Sequence, residues 1–168
     1  MTLRLILTRH AKSDWSGGAQ DDFHRPLNAR GRDEARLVGD WLRSRGYMPD
    51  LLLCSPARRT LESAERIAAA LGAPVEPVPV ARLYGADGDA VLARLHEVQG
   101  AATVLLVGHN PGIARLAAAL VHDRVLHPRF ADYPTGASAV IDFALGDWRD
   151  LAPGTGALRD FTVPDDLA

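Results

Sequence analysis

Cysteine is nearly missing from this chain: Cys54 stands alone among 168 residues, which excludes an intramolecular disulfide. It sits in the apolar run Leu51-Leu52-Leu53-Cys54, where a thiol reads as a small buried hydrophobe rather than a nucleophile. Long hydrophobic runs are missing too, since no apolar stretch approaches the roughly 20 residues that span a bilayer. There is no basic excess: Lys+Arg 19 against Asp+Glu 21 gives a net charge of −2, which points to neither a nucleic-acid nor a membrane partner. The opening run Leu3-Arg4-Leu5-Ile6-Leu7 is too short for a signal-peptide core, and no small-residue cleavage site follows it. Internal repeats and low-complexity segments are absent. These absences predict a soluble, cytoplasmic protein. Apolar residues make up 47% of the chain, enough for a sizeable core, and the length suits one domain over residues 1–168.

Short β-like runs alternate with helical patterns. Leu3–Thr8, Leu51–Cys54 and Thr103–Val107 are mainly apolar, as strands are when helices cover both faces of a parallel sheet. Val75–Val80 carries Pro77 and Pro79 and is expected at a sheet edge. Ala137–Leu145 is β-like, and Trp148–Leu151 is expected to pair with it across a turn at Gly146-Asp147. Between Asn28 and Arg45, residues Ala35, Val38, Trp41 and Leu42 share a helical face. Leu61, Ala64, Ala68 and Leu71 mark a second helix, Val91, Leu92, Leu95 and Val98 a third, and Ile113, Leu116, Ala117, Leu120 and Val121 a fourth. The tail after Gly154 reads as turn-rich surface chain. The order predicts an α/β fold, a three-layer α/β/α sandwich around a mostly parallel sheet.

Two junctions share a pattern. One strand runs into Ser55-Pro56 and another into Gly108-His109-Asn110-Pro111. Ser55 and Asn110 suit helix N-caps, with Pro56 and Pro111 at the first helical position. Ligands of open α/β sheets bind beyond such strand C-termini, where helix N-termini favour anions. The first strand ends at Arg9-His10 on the same edge. Arg9, His10, Arg59 and His109 thereby converge on one anion site. Arginine forks match phosphate oxygens. A neutral imidazole can attack phosphorus and carry a phosphoryl group. The pattern points to phosphoryl transfer, with charge on the equatorial oxygens held by the remaining donors. Two other readings stay open at this point: a non-catalytic phosphate-binding module, and a metal site built on His10 and His109. The second suits poorly, because neither a carboxylate nor a cysteine completes the ligand set.

Three segments resemble the histidine phosphatase superfamily, which includes the phosphoglycerate mutases. Thr8-Arg9-His10-Ala11 is similar to its Arg-His-Gly signature, and Ser55-Pro56-Ala57-Arg58-Arg59-Thr60-Leu61-Glu62-Ser63-Ala64 to its second motif. Val107-Gly108-His109-Asn110 is similar to its second histidine motif. Arg9-His10-Ala11-Lys12-Ser13, Arg25-Pro26-Leu27-Asn28 with Gly31, Gly108-His109-Asn110-Pro111-Gly112 and Tyr133-Pro134-Thr135-Gly136-Ala137 resemble the SixA-type phosphohistidine phosphatases in particular. The resemblance implies a phosphoglycerate-mutase-like fold and catalysis by His10, His109, Arg9 and Arg59. His10 would be the nucleophile, with Arg9, Arg59 and His109 on the phosphoryl group. Arg59 fits the motif better than Arg58, being four places after the serine. Ala11 replaces the commoner glycine, which is tolerable if the position needs no positive φ. Ser13, with Lys12, could add donors at the substrate-binding rim. Arg25 and Asn28 are expected to order the loop and cap the next helix, and Thr135 to neighbour the pocket. His24, His96, His122 and His127 match no motif and are expected at the surface.

One departure bears on the substrate. Many members carry an acidic residue just beyond the third strand, whereas here that stretch reads Ala81-Arg82-Leu83-Tyr84-Gly85-Ala86-Asp87-Gly88-Asp89. Asp87 and Asp89 read more readily as helix-capping residues. The segment is also too short for a helical lid. An imidazole leaving group needs a general acid least. The expected activity is therefore a metal-independent, cofactor-free phosphatase acting on phosphohistidine in proteins, with a small phosphorylated molecule as the alternative substrate.

Overall fold

The apolar run at the start of the chain forms β1 (Leu3–Arg9), at the middle of a six-stranded sheet. A long loop then leads to α1 (Ala29–Ser44), β2 (Leu51–Cys54), α2 (Arg58–Leu71) and the short β3 (Pro77–Pro79). There follow α3 (Gly88–Leu95), β4 (Thr103–Gly108), α4 (Gly112–Leu120), β5 (Ser138–Phe143) and β6 (Gly156–Thr162). The structure is a computed structural model that describes residues 2–72 and 74–168. The strand order is β3-β2-β4-β1-β5-β6. The pairs β1–β4, β4–β2 and β2–β3 are parallel; β5 joins β1 antiparallel, and β6 joins β5 antiparallel.

Alternation along the strands divides the core in two, as a period of two requires. Leu5, Leu7, Leu53, Val104 and Leu106 face α3 and α4, packing with Val91, Leu95, Ile113 and Leu116. Ile6, Leu52, Cys54, Leu105 and Val107 face α1 and α2, packing with Val38, Leu42, Ala64 and Ile67. The result is the expected α/β/α sandwich with a mostly parallel sheet. Cys54 is fully buried, and burial pushes its thiol up to about 12, as suits a packing residue. Among the described residues, no helix is long and apolar enough to cross a membrane.

Three local expectations are corrected. The segment Trp148–Asp150 is a 3-10 turn, not a strand. Asp147 caps it by accepting from the Arg149 amide, while the Trp148 indole N–H donates to Ala101 O at 2.7 Å and buries the ring. The chain after Gly154 is not surface coil, because Gly156–Thr162 supplies the strand that pairs with β5. Ser55 and Asn110 do not hold the N-cap positions, which fall to Ala57 and Pro111. Both side chains still accept near the helix starts, Asn110 Oδ1 from the Ala114 amide at 3.2 Å and Ser55 Oγ from the Ala57 amide at 3.3 Å, while also reaching towards the site.

Candidate active site

Parallel pairing of β1 with β4 sets Arg9 opposite Gly108. One residue beyond that register, His10 and His109 leave neighbouring strand ends together, with ring centroids 5.4 Å apart. The His10 amide donates to Gly108 O, and the Gly136 amide closes on the carbonyls of Arg9 and His10. Ser63 on α2 accepts from the Ala11 amide at 2.9 Å and donates to Arg59 O at 2.7 Å, tying the loop after His10 to the helix that carries Arg59. Ala11 is buried and does not have a positive φ, so alanine meets no backbone strain here.

These junctions line a pocket of about 310 Å³ with Arg9, His10, Asp22, Arg25, Arg59, Tyr84, Gly85, His109 and Asn110. His10 is 7% exposed. Its Nδ1 lies 2.7 Å from Ala11 O, and since a carbonyl only accepts, Nδ1 carries the proton and Nε2 keeps a free lone pair. Burial lowers the His10 value to about 3, with the charges of Arg59 and Arg9 adding to the effect, so the ring is neutral at neutral pH. His109 is lowered to about 4, by burial first and Arg59 next. Its Nε2 lies 2.8 Å from Ser55 Oγ, and Arg59 Nη2 approaches Nδ1 at 3.4 Å.

Arg59 is buried, whereas its neighbour Arg58 points outward and pairs with Glu62. Arg59 Nη1 donates to Asp22 O at 2.8 Å and Nη2 to Asp22 Oδ2 at 2.9 Å. Asp22 also accepts from Arg25 Nη2 at 2.9 Å and from Tyr84 Oη at 2.8 Å. These donors overcome its partial desolvation and hold the carboxyl ionised, well below the usual range. Arg9 donates to Tyr133 O at 3.3 Å, and Asn110 Nδ2 anchors to the same carbonyl at 2.9 Å. Among the described residues, the buried side-chain polar atoms without a hydrogen-bond partner are Nε of Arg9, Arg25 and Arg59, all on this one pocket wall. Buried donors are seldom left unpaired, because each costs its desolvation.

The structure thus brings Arg9, His10, Arg59 and His109 together. It does not bring Ser13 to them: Ser13 is buried, its hydroxyl donates to Pro26 O, and it does not line the pocket. Lys12 is exposed and its amide donates to Glu34. Thr135 donates to the same buried Glu34, away from the pocket lining. Arg25 lines the pocket as well as ordering the loop, and Asn28 caps α1 by accepting from the Gly31 amide. Asp87 caps α3 and Asp89 lies in its first turn, neither in the pocket. His24 and His122 are exposed, His96 and His127 half-buried, and none lines the pocket. Sequence reasoning missed Asp22 and Tyr84, and it assigned Ser55 and Asn110 to capping alone. Asp22 falls in a polar loop whose pattern gives no hint of which carboxylate turns inward. Among the described residues, no group of three or more His, Cys, Asp or Glu could hold a metal ion.

The family model described as the histidine phosphatase superfamily (branch 1) matches residues 5–83. An uncharacterised protein of Mycobacterium tuberculosis is 38% identical over 162 residues, covering 93% of this chain and 99% of its own. The phosphohistidine phosphatase SixA of Escherichia coli is 31% identical over 122 residues, covering 70% of this chain and 74% of its own. A solved structure of the protein histidine phosphatase SixA complexed with tungstate superposes with a TM-score of 0.79, at 25% identity over 99% of this chain and 100% of that one.

Proposed function

The chain belongs to the histidine phosphatase superfamily, and from that premise we propose that it removes phosphate from phosphohistidine on proteins through a phosphorylated His10. The observation that carries the reading is the His10 ring: neutral, fixed by Ala11 O, and presenting a bare Nε2 in a pocket where three guanidinium Nε atoms lack acceptors. A phosphoryl group in this pocket meets the guanidinium side chains of Arg9, Arg25 and Arg59, which line it. Tungstate, held by the structural relative, is likewise a tetrahedral oxyanion.

Nε2 attacks phosphorus, the bond to the leaving group breaks, and its electron pair departs with that group. Arg9, Arg59 and His109 surround the equatorial oxygens, where preorganised donors lower the barrier. Water then attacks phosphorus, the P–N bond pair returns to Nε2, and a water proton passes to phosphate or solvent. No step calls for a metal ion.

Substrate choice follows from proton supply. An alkoxide needs a proton as it leaves, and a positioned acid contributes about 10²–10⁴-fold. The pocket's carboxylate, Asp22, is held ionised and has no proton to give. A phosphorylated imidazole that carries a proton on its other nitrogen departs as neutral imidazole without one. The pocket is also open to a side chain on a folded protein, since α3 packs on α4 and adds nothing to its wall.

Alkaline quenching during turnover is expected to trap a base-stable, acid-labile phosphoryl group on His10, and His10→Ala to abolish activity. Values of kcat/KM should rank phosphohistidine protein first, aryl phosphates second and alkyl phosphates last. Rapid turnover of alkyl esters would instead identify a small-molecule phosphomonoesterase.

A further inference from the structure

In-line transfer to His10 places the leaving group on the side of phosphorus away from that ring. His10 and Arg59, 7% and 6% exposed, form the buried floor of the pocket. Asp22, its side chain 44% exposed, and Tyr84, 39% exposed, stand with exposed Gly85 on the solvent-open side of the wall. A leaving group that departs on this side meets Asp22 and Tyr84.

Asp22 is held firmly. Its Oδ1 accepts from Arg25, and its Oδ2 from both Arg59 and Tyr84. The Arg58 amide donates to Phe23 O at 2.9 Å, which pins the loop carrying Asp22 to the start of α2. Tyr84 is braced edge-on against Phe23, with ring centroids 5.1 Å apart. An ionised carboxylate has about four lone-pair sites, and three are occupied here. One site, on Oδ1, remains for a further donor.

The Asp22 charge is shared with Arg25 and Arg59, and the acceptor site left on Oδ1 suits a further donor from the substrate, best one that carries positive charge. An alcohol leaving group brings none. A protonated phosphoimidazole does: phosphorus is on one ring nitrogen, and the other bears N–H and the positive charge. We infer that Asp22 is a specificity-determining residue that accepts a hydrogen bond from the distal ring N–H of a phosphoimidazole leaving group, with Tyr84 as the aromatic wall beside it. The inference rests on the phosphohistidine reading above and assigns its selectivity to one side chain. As the P–N bond breaks, its pair goes to the nitrogen that bore phosphorus. The distal nitrogen keeps its proton, neutral imidazole leaves, and Asp22 neither gives nor takes a proton.

The test compares wild type with Asp22→Asn on three compounds: phosphoimidazole, its N-methylated phosphoimidazolium analogue, and p-nitrophenyl phosphate. The methylated analogue keeps the positive charge and has no N–H to donate. Wild type is expected to favour phosphoimidazole over it by about 10- to 100-fold, the worth of a hydrogen bond to a charged group. Asp22→Asn should lose kcat/KM on p-nitrophenyl phosphate to the extent that Arg59 loosens, and lose a further tenfold or so on phosphoimidazole, abolishing discrimination between the ring compounds. Equal losses on all three would reduce Asp22 to a positioning residue for Arg59 and overturn the inference. A larger loss on p-nitrophenyl phosphate would overturn it in favour of an acid role. Should the variant fail to fold, equal wild-type rates on the two ring compounds would overturn it alone. With an alkyl phosphate added to the series, a wild-type enzyme with no preference for phosphoimidazole over it would sink the phosphohistidine reading itself. A wild-type preference that Asp22→Asn leaves intact would remove only Asp22.

Discussion

Adjacent arginines in one helical turn have opposite environments. Arg59 is buried against Asp22 and His109, whereas the Arg58 side chain is 61% exposed and pairs only with Glu62 on its own helix. An exposed i,i+4 pair contributes little, about 0.3–0.5 kcal/mol. A buried donor aimed at developing charge is a different matter, since losing one costs about 10²–10³ in rate. Arg59→Ala is therefore expected to lower kcat by that much and Arg58→Ala by less than a few-fold, measured on one aryl phosphate. Equal effects would mean that the second motif has been aligned one residue off. Ser55 gives a subtler case. Its hydroxyl lies 2.8 Å from His109 Nε2, so Ser55→Ala should free the ring and lower kcat about tenfold while KM changes little. A KM effect alone would show that Ser55 does not orient His109. From the sequence, Ser55 read as a helix cap because serine before proline at a strand end usually is one. The structure moves the cap position to Ala57, and the Ser55 hydroxyl, which accepts from the Ala57 amide, also meets the histidine. Contacts between residues 54 positions apart leave no local trace in a sequence.

At the scale of elements, periodicity made most of the fold legible. The mainly apolar runs became the buried parallel strands, and each amphipathic segment became a helix on the expected face. Legibility failed where tertiary pairing overrode local pattern. β6 was hidden behind Gly154 and Gly156, and a register shift between Val140 and Ile141 spoils its alternation against β5. Gly156 is there for packing, because a Cβ would meet Ile141 Cγ2 at 2.5 Å. The loops around the pocket use the same device. A Cβ on Gly31 would lie 1.9 Å from Lys12 O, so α1 meets the backbone just after His10 in a contact that only glycine allows. At Gly112 a Cβ would lie 2.3 Å from Ala86 O, so α4 similarly touches the chain two residues beyond Tyr84. Backbone cannot yield as a flexible side chain does, and overpacking typically costs about 1–3 kcal/mol or more. Gly31→Ala and Gly112→Ala should each lower the unfolding midpoint and also depress kcat in the folded fraction, because each displaces a loop of the site. A stability loss with full activity in the folded fraction would show that these contacts support the fold without positioning the pocket.

For the whole molecule, the site makes stability depend on pH in a window where most proteins change little. His10 sits at about 3 and His109 at about 4 in the folded state, both below the ordinary value of 6.5. Below pH 6.5 the unfolded chain therefore binds more protons than the folded one, and stability rises with pH. The contribution of each histidine is complete above about 6.5 and is lost as pH falls towards its folded value. For His10, almost wholly buried, the loss approaches about 1.4 kcal/mol per pH unit, or roughly 2 kcal/mol by pH 5. Carboxylates with lowered values, Asp22 and Asp14 among them, act in the same direction but only near and below pH 4. The interval from pH 5 to 7 thus isolates the histidines. Urea unfolding at those two pH values should show wild type losing about 2 kcal/mol more than His10→Asn, which removes the titrating ring from the same buried position. Parallel losses would mean that His10 titrates in the folded state well above pH 3 and that burial does not hold its ring neutral. The same shift bears on turnover. With His10 neutral across this range, the acid limb of kcat/KM above pH 5 should follow the substrate's ionisation or the fraction folded. It should therefore move with the leaving group or with added phosphate, which stabilises the folded state. A limb fixed near pH 6.5 for every substrate would place the titration on His10 itself and contradict its burial.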